Sequence, residues 1–85
     1  MTPPPPYEDY TIARTAIHAA QDADAARFAP AAWAKAEESY RKGEASYKNF
    51  DYEIAKGHFK NAIRYSEAAE EQTKLKKFES GESFP

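Results

Sequence analysis

Residues 33–69 read WAKAEESYRKGEASYKNFDYEIAKGHFKNAIRYSEAA, and the spacing inside this stretch decides the fold. Trp33, Ala36, Tyr40, Gly43 and Tyr47 recur at alternating steps of three and four, which sets them along one side of a helix. Ala55, Phe59, Ala62, Ser66 and Ala69 repeat the pattern. The break between the two stripes is the short Asn49-Phe50-Asp51, so the segments are expected to fold back on each other as an antiparallel helical hairpin. That pattern speaks of packing and carries no chemistry of its own.

Working outward, the hairpin's first helix is expected from about Pro30 to Lys48. Its outer face carries Glu37 with Arg41, Glu38 with Lys42 and Glu44 with Lys48, each acid four residues ahead of its base, the better orientation for helix pairs. These pairs mark the solvent side and leave the Trp33–Tyr47 stripe as the packed side. Gly43 on that packed side costs roughly 1 kcal/mol against Ala, and a close crossing by another helix accounts for it. Asp51 is the natural N-cap of the hairpin's second helix, which extends to about Lys77 and outruns the other helices. Its last turns, Glu70 to Lys77, find little to pack against within this chain.

Upstream, another helix is expected from about Glu8 to Ala26, with Tyr10, Ala13, Ile17 and Ala20 on one side and Ile12, Ala16, Ala19 and Ala23 beside them. Asp22 and Asp24 read as solvated positions. Phe28-Ala29-Pro30 closes this element, because the residue before a proline is pushed out of helical geometry while Pro30 fits the first turn of the next helix. The expected fold is therefore all-α, a three-helix up-down-up bundle over residues 8–77 with a long C-terminal helix. Residues 1–7, with four consecutive prolines, read as an extended tether, and residues 78–85 as a flexible tail.

Composition bounds what such a bundle can be. Ile12, Ile17, Ile54, Ile63 and Leu75 are the only Ile or Leu and Val is absent, but aromatics make up 14% of the 85 residues and net charge is only -2, which argues against disorder. Alanine supplies the remaining apolar content, so the core should be thin and close-packed, with rings filling the gaps between alanine-faced helices. Interspersed charges give no electrostatic footprint for nucleic acid. No run reaches the length of a membrane span, and the N-terminus lacks the regions of a signal peptide. Met1 directly before the proline tract reads as a start residue on a shortened chain, which would leave any signal or anchor upstream of it.

Catalytic and metal chemistry find no motif. His18 and His58 lack the Glu-x-x-His spacing of bundle metal sites, and Ser46, His58 and Asp51 lack a nucleophile turn and oxyanion donors. Glu67, Glu70 and Glu71 read as a solvated helix face, and isolated Gly43, Gly57 and Gly81 form no phosphate loop. No enzymatic activity, cofactor or metal is expected. The residues left for a functional site are aromatic: Tyr47, Phe50 and Tyr52 cluster at the hairpin tip, where all three cannot point inward from one turn, and Trp33 lies on the packed stripe. Rings left exposed there would serve as interaction anchors.

Two resemblances extend this reading. The spacing Tyr40, Tyr47, Ala55, Phe59, Ala62, with Phe50-Asp51-Tyr52-Glu53 between, resembles the hairpin of a tetratricopeptide repeat. Over Ile12 to Ala69, the order Ala13-Arg14-x2-Ile17, Phe28-Ala29-Pro30, Ala36-Glu37, Asp51-Tyr52-x2-Ala55 and Ala62 to Ala69 is similar to an uncharacterised alanine-rich helical domain of bacterial envelope lipoproteins and OmpA-like proteins. That resemblance implies a periplasmic or outer-membrane location, membrane association only through a lipid anchor upstream, and no established chemistry. The function expected is a non-catalytic interaction or scaffolding module whose partner is another protein or a further copy of the chain. Two alternatives stand beside it: a carrier of small ligands or peptides with Trp33, Tyr40, Phe59 and Tyr65 lining a groove of at least ~300 Å³, and an accessory subunit whose chemistry lies on its partner.

Overall fold

The computed structural model describes residues 4–81. The described chain is all-α: α1 spans Tyr7–Asp22, α2 Ala25–Phe28, α3 Pro30–Lys48 and α4 Tyr52–Ser80. The continuous helix expected over residues 8–26 is thus divided. Asp24 takes left-handed geometry at φ 72°, a conformation that aspartate tolerates better than most residues. Its carbonyl then accepts from the amides of Arg27 and Phe28, starting the single turn of α2. Pro30 keeps Ala29 out of helical geometry, at φ -139° and ψ 59°, and occupies the first turn of α3.

α4 is the spine. Ala55, Phe59, Ala62, Ser66, Ala69 and Thr73 form its buried stripe, the expected pattern carried one turn further. α3 packs on it most extensively and α1 next, whereas α1 and α3 touch less. Ala36, Ser39 and Gly43 are the buried positions of α3, and Ala13 and Ala20 those of α1. Ile12, set beside the packed face by its spacing, is instead 51% exposed.

The core is thin, as the shortage of large aliphatics dictates. Phe59 is the largest fully buried side chain, followed by Thr73 and Ser66. Gly43 explains how Phe59 fits: a Cβ built there would lie 2.6 Å from the Phe59 ring. The glycine in α3 is therefore the socket for the one fully buried ring of α4. Thr73 satisfies its buried hydroxyl by donating to the Ala69 carbonyl at 2.7 Å; the Ser66 hydroxyl is buried with no partner.

The final turns of α4 are better covered than the sequence implies. α2 lies against them, burying Ala25 beside Ala69, and Lys77 sets its ammonium 5.5 Å from the centre of the Phe28 ring, which Arg27 also covers at 4.9 Å. Glu70–Lys77 therefore has a packed side, with Thr73 fully buried on it. The helix also continues past Lys77 to Ser80, where Gly81 at φ 79° stops it and donates to the carbonyl of Phe78. Residues 78–80 thus belong to the helix rather than to a tail; residues 82–85 lie outside the described range.

Candidate functional site

The turn between α3 and α4 dictates where the rings go. Phe50 adopts left-handed geometry at φ 63°, and the amide of Asp51 then reaches back to the Ser46 carbonyl at 2.9 Å. Asp51 holds the N-cap position of α4, but its side chain makes no capping bond; its backbone carbonyl accepts from Ala55 instead. The turn leaves Phe50 71% exposed, with its ring edge-on to Tyr52 at 6.1 Å, and Tyr52 edge-on to Tyr47 at 5.5 Å. The three tip residues singled out from the sequence are therefore brought together.

From Tyr47 the rings run inward. Tyr47 lies 5.7 Å from Tyr10, Tyr10 stacks on Tyr40 at 6.1 Å, and both Tyr10 and Tyr40 touch the buried Phe59, at 5.3 and 5.9 Å. Tyr7 closes the other side, edge-on to Tyr47 at 6.2 Å. Ring pairs at these separations each add about 0.5–1.5 kcal/mol beyond their burial. The exposed tip is therefore continuous with the core. Burial, a hydrogen bond with Tyr10 and the nearby Glu44 carboxylate all push the Tyr40 hydroxyl's pKa up, and burial together with Tyr7 does the same to Tyr47. Both stay neutral at physiological pH, as donors and acceptors rather than as bases.

Tyr7 and Tyr10 are the members of this cluster that sequence reasoning did not assign to the site. Tyr7 stood in the proline tether, yet it is the first residue of α1, and the prolines before it matter: Pro4, Pro5 and Pro6 line a cleft of about 340 Å³ with Tyr7, Tyr52, Glu53 and Lys56. The described prolines thus lie against the start of α4; residues 1–3 lie outside the described range. The signal available was the pair Tyr7 and Tyr10, three apart, the spacing that shares a helix face.

Trp33 is the exception among the candidates. It is half-buried against Ala20, Ala25, Ala29 and Ala69, fourteen residues and so about 21 Å along α3 from Tyr47. It belongs to a separate packing cluster and not to the tip. Nor do Trp33, Tyr40, Phe59 and Tyr65 share an open groove, since the Phe59 ring is closed into the seam against Gly43 and Lys35 covers Tyr65 at 5.7 Å. Of the helix pairs expected on α3, Glu38–Lys42 forms at 3.5 Å; Asp24–Arg27 and Glu70–Lys74 form elsewhere. Among the described residues no group of three or more His, Cys, Asp or Glu side chains converges as a metal site, and no helix is long and apolar enough to cross a membrane.

Small-residue helices joined at one end by an aromatic cluster define a class of all-α domain in which rings replace the usual aliphatic core. Residues 8–81 match the family described as Domain of unknown function (DUF4398), and the chain belongs to that family. No curated protein and no solved structure matches it.

Proposed function

We propose that this domain is a non-catalytic protein-interaction or scaffolding module, and that Phe50 with Tyr52 is its anchor. One observation carries the proposal. A bulky residue at φ 63° holds a conformation that costs roughly 1–2 kcal/mol for an L side chain, although its ring is 71% exposed and gains little from the fold. The left-handed backbone closes the turn, but the turn itself needs no ring, and a glycine would hold it without strain; a bulky exposed ring kept there supports a contact outside the chain. Tyr52 braces that ring and is itself held edge-on to Tyr47, which lowers the entropy lost when a partner covers it.

The finer picture belongs with this proposal. Tyr40 beside Phe59 and Tyr47 beside Tyr52 support an antiparallel α3–α4 hairpin, of the tetratricopeptide kind, and Ala13 with Phe59 and Ala20 with Ala69 support α1 running alongside α4. The whole is then an up-down-up bundle with α2 as an inserted turn. The likeness to envelope lipoprotein domains supports a location in the bacterial periplasm or outer membrane, as a component of a larger assembly.

A photoreactive residue at position 50, introduced in the native cell, is expected to trap a protein partner in the envelope fraction. Phe50→Gly should weaken capture about tenfold, the size of a modest hot spot, while leaving the fold as stable or up to about 1 kcal/mol more stable by relieving the strain. Unchanged capture by Phe50→Gly, or the absence of any adduct, overturns the proposal.

A further inference from the structure

We infer that the outer face of α4 is a self-docking surface, on which a second copy of this chain packs antiparallel about a two-fold axis level with residues 65–66. The inference rests on the interaction-module reading and names one partner of that module.

α1, α2 and α3 all cover the side of α4 that carries Ala55, Phe59, Ala62, Ser66, Ala69 and Thr73. The opposite side stays open along 29 residues, about 43 Å. Gly57, Arg64, Ala68, Glu71 and Leu75 follow one another there at steps of seven, four, three and four, the spacing of a helix-packing seam. Leu75 is 59% exposed. Nothing stands within 4 Å of a Cβ built on Gly57, and Gly57 with Ile54, Asn61 and Arg64 borders a shallow cleft of about 400 Å³. Knob and hole thus lie on the same face, eighteen residues apart.

The charges on this face run in order. Lys60 and Arg64 come first, Glu67 and Glu71 follow, and all four are exposed. An order of two bases then two acids complements itself in an antiparallel pair, because an antiparallel two-fold brings the same flank of each helix together and sets the bases of one copy against the acids of the other.

Two independent features then select one register. Seating Leu75 of each copy over Gly57 of the other puts the two-fold level with residue 66, their midpoint. Pairing Lys60 with Glu71 and Arg64 with Glu67 across the interface puts it between residues 65 and 66. The agreement within half a residue is what commits the occupant to a second copy, since a foreign helix has no reason to share the centre set by this chain's own charges. Lys56 and Lys74 approach each other at the ends of this arrangement; Lys74 is already paired with Glu70 at 3.5 Å. With Arg64 and Glu71 inside the seam, the dimer is weak and salt-sensitive.

The chain has no cysteine, so cross-linking reads the register directly. Gly57→Cys and Leu75→Cys, both at exposed positions, are mixed under oxidising conditions at concentrations where sedimentation equilibrium shows dimer. Heterotypic disulfides between the two variants are expected, and homotypic ones are not. Glu67→Lys/Glu71→Lys should raise the dissociation constant at least tenfold, and adding Lys60→Glu/Arg64→Glu to invert the whole block should restore it. Monomer mass at every concentration, homotypic cross-links, or an unchanged constant in the double variant would each overturn the inference. A strictly monomeric chain that still loses partner capture on Phe50→Gly sinks this inference alone and leaves the interaction module standing; a dimer with no partner trapped at position 50 does the reverse.

Discussion

The two packing clusters of this domain solve the same problem with opposite materials. At the hairpin end, Ala13, Ala55, Phe59 and Ala62 are packed against by Tyr10, Tyr40, Tyr47 and Ile63; at the other, Ala20, Ala25, Ala29 and Ala69 are packed against by Ala32 and Trp33. In the first, rings fill the space between helices and bring large buried areas with them. In the second, alanine side chains let backbones approach until little space is left. The ring-filled end therefore holds most of the removable apolar area, and the alanine end depends on fit. The proposed contact follows the same division, because a cluster of rings can continue outward to an exposed Phe50, whereas the alanine residues of the other seam are buried against one another.

The most direct way to break the comparison is to take the ring out of its socket. Phe59→Ala is expected to destabilise by about 3–5 kcal/mol, enough to unfold a domain of this size, as chemical denaturation followed by circular dichroism will show. A loss below 1 kcal/mol would mean that the rings are not what holds this end together.

Two glycines sharpen it. Gly43→Ala drives a methyl into the Phe59 ring and should cost about 1–3 kcal/mol, more than the roughly 1 kcal/mol gained in helix propensity. Gly57→Ala meets open space and should stabilise by up to about 1 kcal/mol, measured at concentrations low enough to keep the chain monomeric. Equal effects at the two positions would remove Gly43 as the socket.

The tyrosines add a pH signature confined to the hairpin end. Burial raises Tyr40 and Tyr47 above the usual value of 10.0. Below pH 10 both are protonated in folded and unfolded chains alike, so their contribution is fully present. Above it the unfolded chain ionises first, binds fewer protons, and is favoured, so stability falls as pH rises. Absorbance at 295 nm should show the last tyrosines ionising together with loss of helicity, and Tyr40→Phe should move that loss to higher pH.

Smallest of all is Ser66→Ala. Its hydroxyl is buried without a partner, a costly state for a polar group, so removal should stabilise by up to about 1 kcal/mol in the same denaturation assay. A loss instead would point to a hydrogen bond from that hydroxyl in solution.

How far the sequence reached depended on how local each feature is. The stripes of α3 and α4 were legible because helical periodicity fixes which residues share a side, and Ala55, Phe59, Ala62, Ser66 and Ala69 are all buried as their spacing implies. Phe50 and Tyr52 could be picked out for the same reason, since one turn cannot hide adjacent rings. The break at Asp24 was not legible: helix propensity favours continuing through residues 23–26, and only the gain from laying Ala25 on Ala69 offsets a left-handed aspartate. Tyr7 was missed because proline marks the end of regular structure, not what the next ring will touch.

By itself, then, the sequence determined an all-helical chain, the helix break at residues 49–51 and the inward side of each long helix, because these follow from periodicity, proline and the short reach of the backbone. Tertiary structure decided that Gly43 receives Phe59, that Tyr7 and Tyr10 join the rings of α3, that Trp33 packs apart from them, and that α2 turns to lay Ala25 beside Ala69. Those outcomes depend on which surfaces meet at a distance along the chain, and only close packing among all the helices at once selects between them.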